Sequence, residues 1–582
     1  MTRPFRSRRD FIIRIGSISA TLAAGGVLSA CGGDDDNAPG TSPDDGSSPN
    51  EPVRFDYGVA SGDPLADRVI LWTHAKYGSL DTASDEVALT WEVATDPAFG
   101  SLVASGETLA SAATGFTAKV DATGLQAGRQ YYYRFRAGQH VSAVGLTRTL
   151  PAAGIERVSL AVFSCSNYPA GYFHAYAEAL KTGAEYAVHL GDYIYEYAAG
   201  GYASGDAQAL DRVVDPAHEI ISLDDYRRRY AQYRSDPDLK QMHAAIPMIA
   251  IWDDHEIAND TWREGAENHD ESTEGVFAER VGAALQAYHE WLPIRTDASS
   301  DLQKIWRSFD FGDLLSLHML ETRVSGRDQQ IAISELANPA TAAAATAQLS
   351  ATDRQMLGSA QQQWLTRQLA QSGATWQVLG QQVLMARMQF PVSILQHLNA
   401  DSLTPDAQQA ALQAIEAYLT AKATAAQAPQ LLTEQQQALL DTSLNPLLGY
   451  NLDAWDGYPV ARETLLQTAR QLGKQLVVLA GDTHNAWHSD LTLLDGTKVG
   501  EEFATTSVSS PGFEEYLSGF APEQIQQVFL GVVDTLKYLN SHQRGFLLME
   551  FTQQSTTGHW YMLDTVKSRD YTVTLERSAS LA

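Results

Sequence analysis

An α/β core preceded by a small all-β domain is the fold the sequence predicts, and three observations predict it. Between Arg54 and Pro151, short runs rich in aromatic and β-branched residues are punctuated by turn signals. After Pro151, four apolar runs each end in a polar or glycine-containing turn. Helical segments lie between those runs, the alternation from which an α/β sheet is built. The composition supports a fold of this size: 582 residues, 44% hydrophobic and 19% charged, exclude wholesale disorder and suffice for two domains.

The chain opens on an address. Ser7-Arg8-Arg9-Asp10-Phe11 places paired arginines before the mostly apolar run Ile15–Ala30, the pattern of a twin-arginine signal peptide. That run is shorter than the roughly 20 residues that span a bilayer. It ends in Leu28-Ser29-Ala30-Cys31-Gly32, which resembles a bacterial lipobox and implies cleavage before Cys31 and lipidation of its thiol. The alternative is an ordinary cleaved signal in which Cys31 is incidental. Gly32–Glu51 contains only Gly, Asp, Asn, Ala, Pro, Thr, Ser and Glu and cannot bury a core, so residues 31–51 read as a tether. The chain is therefore expected in the periplasm or at the cell surface, held to the membrane by lipid alone. Its formal charge is −29, and losing five arginines and one aspartate with residues 1–30 makes it −33, which disfavours nucleic acid as a partner. A monomer is expected.

In residues 52–151 the predicted strands include Val69-Ile70-Leu71-Trp72, Val87–Val93 and Gln130–Arg136, with turns at Gly62-Asp63-Pro64 and Ala127-Gly128. Their spacing suggests an immunoglobulin- or fibronectin-like sandwich. In residues 152–582 the core strands are Val158–Phe163, Tyr186–Leu190, Met248–Trp252 and Leu476–Ala480. Segments 337–369 and 404–440, rich in Ala, Gln and Leu, read as helical insertions, with starts at Thr404-Pro405 and Thr433-Glu434-Gln435-Gln436. They are peripheral helices or a lid over a site.

Ligands in open α/β sheets gather beyond the carboxyl ends of strands. The four core runs are followed by Ser164-Cys165-Ser166-Asn167, Gly191-Asp192-Tyr193-Ile194-Tyr195, Asp253-Asp254-His255-Glu256 and Gly481-Asp482-Thr483-His484. A single Asp there is ordinary helix capping and a single buried Cys is ordinary filler; four metal-ligand types at four strand ends are not. Grouped by softness, Cys165, Asp192, Tyr195 and His484 suit a transition metal, and Asp192, Asp254 and Asp482 suit a harder cation, with Asp192 between the two. Two such cations clamp a phosphate and activate water. Cys165 has no disulfide partner once Cys31 is assigned to the lipobox.

These motifs resemble the PhoD-like alkaline phosphatases, relatives of the purple acid phosphatases within the calcineurin-like metallophosphoesterases. Phe55-Asp56-Tyr57-Gly58-Val59-Ala60-Ser61-Gly62-Asp63-Pro64, Trp252-Asp253-Asp254-His255-Glu256, Asp453-Ala454-Trp455-Asp456-Gly457-Tyr458-Pro459 and Ser507-Val508-Ser509-Ser510-Pro511-Gly512 carry the likeness. It implies two packed mixed sheets flanked by helices, Fe3+ held by Cys165, Asp192, Tyr195 and His484, and Ca2+ held by Asp192, Asp254 and Asp482. The implied activity is hydrolysis of phosphomonoesters and phosphodiesters by metal-activated hydroxide. His255 is the candidate general acid or a support for Asp254, and Arg387 is a candidate phosphate contact or a member of a surface ion pair. His488, four residues beyond His484, is read as packing or as support for a ligand rather than as a ligand. Two other functions fit the same residues: a phospholipase D-type phosphodiesterase, and a non-enzymatic lipoprotein that binds metal or phosphate.

Overall fold

The computed structural model describes residues 52–78, 86–297, 299, 301–338, 340–398, 405–517 and 520–582. The signal peptide, Cys31 and the tether lie outside them. Among the described residues no helix is long and apolar enough to cross a membrane.

Two large sheets face each other. The first has nine strands, in the order Val573–Leu581, Thr556–Leu563, Arg544–Thr552, Arg157–Phe163, Tyr186–His189, Met248–Ala250, Val59–Gly62, Arg68–His74, Thr117–Thr123. The second has seven: Arg307–Phe311, Leu315–Met319, Trp376–Gly380, Leu476–Ala480, Lys498–Ala504, Ala486–Thr492, Leu536–Asn540. Val162, Phe163, Phe546 and Leu547 of the first pack with Val477, Leu479 and Phe503 of the second in one buried cluster. All four sequence-predicted core strands are present, and each is fully or almost fully buried along its length. Both faces of these strands are covered, which is why they read as unbroken apolar runs rather than alternations.

The boundary at residue 151 is not a sheet boundary. Glu86–Ala94, Leu102–Ser111, Gln130–Ala137, His140–Val141 and Gly145–Arg148 form a separate five-stranded antiparallel sheet. The layer packed against it is Val59–Gly62, Arg68–His74 and Thr117–Thr123, three strands of the nine-stranded sheet. Val69 and Leu71 face the small sheet, whereas Ala60 and Trp72 join the main core. The two parts meet where Met248 pairs with Gly62. A Cβ on Gly62 would lie 2.4 Å from the carbonyl oxygens of both Met248 and Pro293, so this close approach needs glycine. The first segment thus supplies a β-sandwich whose second layer belongs to the larger sheet. The sequence carries a sign of it in Val69-Ile70-Leu71-Trp72, a run apolar on both faces.

Helices cover the outer faces. His174–Lys181, Leu223–Arg234, Pro237–Ala245 and Phe277–Trp291 contribute to the cluster under the nine-stranded sheet, and Gly358–Gln371, Pro459–Gln471 and Pro522–Val532 to that under the seven-stranded one. Insertion 337–369 holds Ala342–Leu349 and Gly358–Gln371; insertion 404–440 holds Pro405–Gln427 and Glu434–Leu440. Thr433 caps the last of these, with its side chain and that of Gln436 bonding each other's backbone N–H, as the motif predicts. Pro405–Gln427 packs on Pro522–Val532 and is tied there by Lys422 Nζ to the Gly531 carbonyl at 2.7 Å. It is a buttress of the seven-stranded sheet.

Candidate metal centre at the strand ends

Arg157–Phe163, Tyr186–His189 and Met248–Ala250 run parallel in one sheet, so their carboxyl ends emerge side by side. Leu476–Ala480 brings a fourth end from the opposing sheet. The ends are laced together by hydrogen bonds: Cys165 N to Gly191 O (3.1 Å), Val508 N to Ser164 O (2.9 Å) and Gln382 Nε2 to Trp252 O (2.6 Å). Cys165, Asp192, Asp482 and His484 all take positive φ, between 54° and 61°. Non-glycine residues reach this region only at a cost of order 1 kcal/mol each, and such strain gathers at functional sites. Gly191, at φ 105°, supplies the room, since a Cβ there would lie 2.3 Å from Asp253 Cβ.

The turns bring the predicted ligands together. Donor atoms of Cys165, Asp192 and His484 lie within 4.8 Å of one another, as do those of Asp192, Asp254 and His255, and those of Asp253, Asp254 and Asp482. Tyr195 Oη donates to Asp192 Oδ2 at 2.8 Å and lies 3.3 Å from His484 Nε2. Ser510 Oγ donates to Tyr195 Oη at 2.7 Å. The Pro511 carbonyl, 2.8 Å from His484 Nδ1, can only accept, so Nδ1 carries the proton and Nε2 faces the cluster. Asp192 thus joins a sulfur, phenol and imidazole group to an all-carboxylate one.

The electrostatics demand positive charge. Burial first, then the Asp192 carboxylate, pushes the Cys165 thiol well above its usual range. Burial, followed by Asp254 and Asp253, does the same to Asp192, and burial and Asp192 do it to Tyr195. Asp192 Oδ1 is buried without a hydrogen bond. A cation among these groups would reverse each shift and give that oxygen a partner. Thiolate, phenolate, imidazole and carboxylate together suit a transition metal, and clustered carboxylates suit a hard cation, so the residues present fit the expected pair.

Four residues to which the strand-end reading gave no role complete the site. Arg323, fully buried, pairs with Asp253, with both oxygens of Asp453 at 2.9 Å, and through Nη2 with Asp254 at 3.4 Å and Asp482 at 3.8 Å. It follows the strand Leu315–Met319 by four residues, so the rule applied to a fifth strand would have found it. Glu256 accepts N–H groups from Asp192 (3.0 Å), Ile194 (3.3 Å), Asp253 (2.7 Å) and Tyr193, stapling two ligand turns. Glu196 Oε2 lies 2.6 Å from His255 Nδ1, which leaves Nε2 as the ring nitrogen toward Asp192 and Asp254. Tyr202 Oη reaches His484 Nδ1 at 3.2 Å from outside the cluster.

Arg387 lies elsewhere. Its guanidinium donates to Thr492 Oγ1 and the Leu493 carbonyl, both at 2.8 Å. Thr492 ends a strand, Ala486–Thr492, that runs away from His484, placing the two roughly 20 Å apart at ~3.3 Å per residue. Its segment is held there by Glu502, which accepts the Met385 and Ala386 N–H groups. His488 is not at the cluster either: it packs on Phe503 and bonds Glu501 at 2.6 Å, as a packing residue should.

Comparison with known proteins gives the chemistry a class. Residues 160–560 match the family model described as "PhoD-like phosphatase", and residues 40–151 match "PhoD-like phosphatase, N-terminal domain". Alkaline phosphatase D of Bacillus subtilis (strain 168) is 34% identical over 524 residues, covering 87% of this chain and 76% of that protein. A solved structure titled "Structure of PhoD" superposes with a TM-score of 0.72 at 30% identity, over 92% of this chain and 91% of that one. With ligand types at four strand ends, the molecule is a phosphoric ester hydrolase. The chain belongs to the PhoD-like phosphatase family.

Proposed function

We propose that the chain is an exported alkaline phosphatase that hydrolyses phosphomonoesters and phosphodiesters at an iron-calcium centre and releases inorganic phosphate. The observation that carries this reading is the position of Asp192, shared between the Cys165–His484 group and the Asp254–His255 group. Cys165, Asp192, Tyr195 and His484 would hold Fe3+, and Asp192, Asp254 and Asp482 would hold Ca2+. Bound there, the cations supply Lewis acidity, a lowered pKa for water and neutralisation of phosphoryl charge. The side chains do the rest. Arg323 fixes the carboxylates of Asp254 and Asp482, and Glu256 fixes the turns that carry Asp192 and Asp254. His255, clamped at Nδ1 by Glu196 and stacked on Tyr195 at 4.3 Å, presents Nε2 as the proton donor to the leaving alkoxide.

Cys31 and the paired arginines Arg8 and Arg9 support export in folded form and lipid anchorage at the periplasmic or cell surface, as a monomer. Hydrolysis of a phosphomonoester, a phosphodiester and phosphatidylcholine side by side tests the activity. Phosphate release from the first two supports the reading, and headgroup release from phosphatidylcholine alone replaces it with a phospholipase D-type enzyme. Export that persists in Arg8→Lys/Arg9→Lys contradicts the twin-arginine route.

A further inference from the structure

Ser166, Tyr176 and His189 are fully buried polar groups that the proposed chemistry does not use. They come from three different elements. Ser166 follows Cys165 in its turn, His189 ends the strand Tyr186–His189 just before Gly191 and Asp192, and Tyr176 belongs to the helix His174–Lys181, with its ring 4.8 Å from that of Phe163. Tyr176 Oη lies 2.6 Å from Ser166 Oγ and 3.0 Å from His189 Nε2. At the other ring nitrogen, the Gly191 N–H donates to His189 Nδ1 at 3.3 Å.

The donors and acceptors fix the direction of this chain. A backbone N–H can only donate, so Nδ1 accepts and Nε2 carries the proton of the neutral ring. Burial, which lowers the His189 imidazole to about 3, keeps that ring neutral. Nε2–H therefore donates to Tyr176 Oη, and the phenol donates its own hydrogen to Ser166 Oγ. The Ser166 N–H in turn donates to the Asp192 carbonyl at 2.8 Å, which closes a circuit between the two ligand turns. Cys165 and Asp192 sit at φ of 59° and 54°, so neither turn holds its shape by local preference. The helix His174–Lys181, outside both turns, anchors the circuit through one phenol.

We propose that Tyr176 is a positioning residue of the metal centre: by joining His189 to Ser166 it fixes the spacing of the Cys165 and Asp192 turns, and with it the spacing of their donor atoms. The inference rests on the reading of Cys165 and Asp192 as ligands. Tyr176 touches neither substrate nor metal. Without its hydroxyl, His189 Nε2–H and Ser166 Oγ would be left buried and unpaired, and the cheapest remedy for both is a shift of the turns that carry the ligands.

The test separates positioning from stability by comparing two buried tyrosines on the natively exported full chain. Tyr176→Phe breaks the circuit. Tyr186→Phe removes a hydroxyl that donates to the Thr149 carbonyl at 2.9 Å, at the opposite end of the strand that His189 ends. Both should lower the melting temperature. Only Tyr176→Phe should lower the EDTA concentration that strips half of the bound metal, by about tenfold, and reduce kcat on phenyl phosphate by about tenfold with KM unchanged. Ser166→Ala should do the same, and Tyr176→Phe/Ser166→Ala should cost no more than either alone, because the two groups are the ends of one bond. Metal retention and kcat at wild-type values in Tyr176→Phe or in Ser166→Ala, whichever folds, overturn the proposal, as do equal losses in Tyr186→Phe. Wild type alone gives a further readout: 15N NMR of the metal-free, histidine-labelled chain should show a protonated Nε2 on the ring in contact with Tyr176 and Tyr193, and a protonated Nδ1 there overturns the circuit. Phenyl phosphate left intact by metal-bound wild type would refute the phosphatase reading instead, with metal retention and the tautomer still deciding the role of Tyr176.

Discussion

Turns in the small N-terminal sheet and turns at the metal centre solve the same steric problem differently. At the edges of the five-stranded sheet the chain enters the left-handed region mostly at glycines, Gly115, Gly124, Gly128 and Gly138, with Phe99 and Phe116 the non-glycine exceptions. At the centre it does so at Cys165, Asp192, Asp482 and His484, each a ligand candidate. Glycine would relieve the strain there but would bring no donor atom. The difference teaches that the strand ends are built for ligation at the expense of local stability, and that the staples around them, Glu256 and Arg323, hold what the turns alone would not.

The largest effect expected from this contrast is on Asp192. Asp192→Ala removes the carboxylate common to both groups, so activity should fall by more than about 100-fold, beyond the 10–100-fold typical of residues that only support a ligand; steady-state kinetics on metal-loaded protein measures it. Next comes Gly191→Ala, whose Cβ would sit 2.5 Å from Asp253 N. A loss of about 3 kcal/mol or more is expected in denaturant unfolding.

Glu502, remote from the centre, gives a control on buried charge. Burial raises its carboxyl from the usual 4.5 to about 7, with the Met385 and Ala386 N–H groups acting in the opposite direction. The folded chain therefore binds that proton more tightly than the unfolded one. The stability it adds is complete below about pH 4.5 and lost as pH rises through about 7, amounting to about 3 kcal/mol at 1.36 kcal/mol per pH unit. Stability measured from pH 4.5 to 7.5 should decline less in Glu502→Gln than in wild type. Asp482→Asn tests the ligation half of the contrast: it keeps a residue that tolerates positive φ and removes one of several clustered charges. Metal-free protein should melt higher, by about 1 kcal/mol of added stability, while activity falls. Gly138→Ala is the smallest case, costing about 1 kcal/mol with kinetics unchanged, because its φ of 57° disfavours a side chain although nothing lies within 4 Å of the new Cβ.

Much of the centre was legible because the strands that build it are covered on both faces. Their unbroken apolar runs end sharply, and the residues after them, Cys165, Asp192, Asp254, Asp482 and His484, stand out at fixed offsets. Tyr195 was found through the same turn. Arg323 was not, since its strand, Leu315–Met319, carries Ser316 and His318 and reads as ordinary alternation. Glu196 and Glu256 were hidden for another reason: nothing in local sequence distinguishes a carboxylate that grips backbone N–H groups from one that grips a metal. Arg387 was misplaced because Met385-Ala386-Arg387-Met388 resembles the end of a strand, whereas the strand before it stops at Gly380. The shared layer of the N-terminal sandwich arises from a long-range pairing, Met248 with Gly62, that no local pattern encodes.

The most direct test of the account is the metal content and visible spectrum of natively exported protein. Iron and calcium bound together, with a charge-transfer colour lost in Tyr195→Phe and Cys165→Ala, is the result predicted by a Tyr195 phenolate and a Cys165 thiolate on ferric iron. Zinc or manganese without colour would contradict it and would place the chemistry with donor sets that exclude Tyr195.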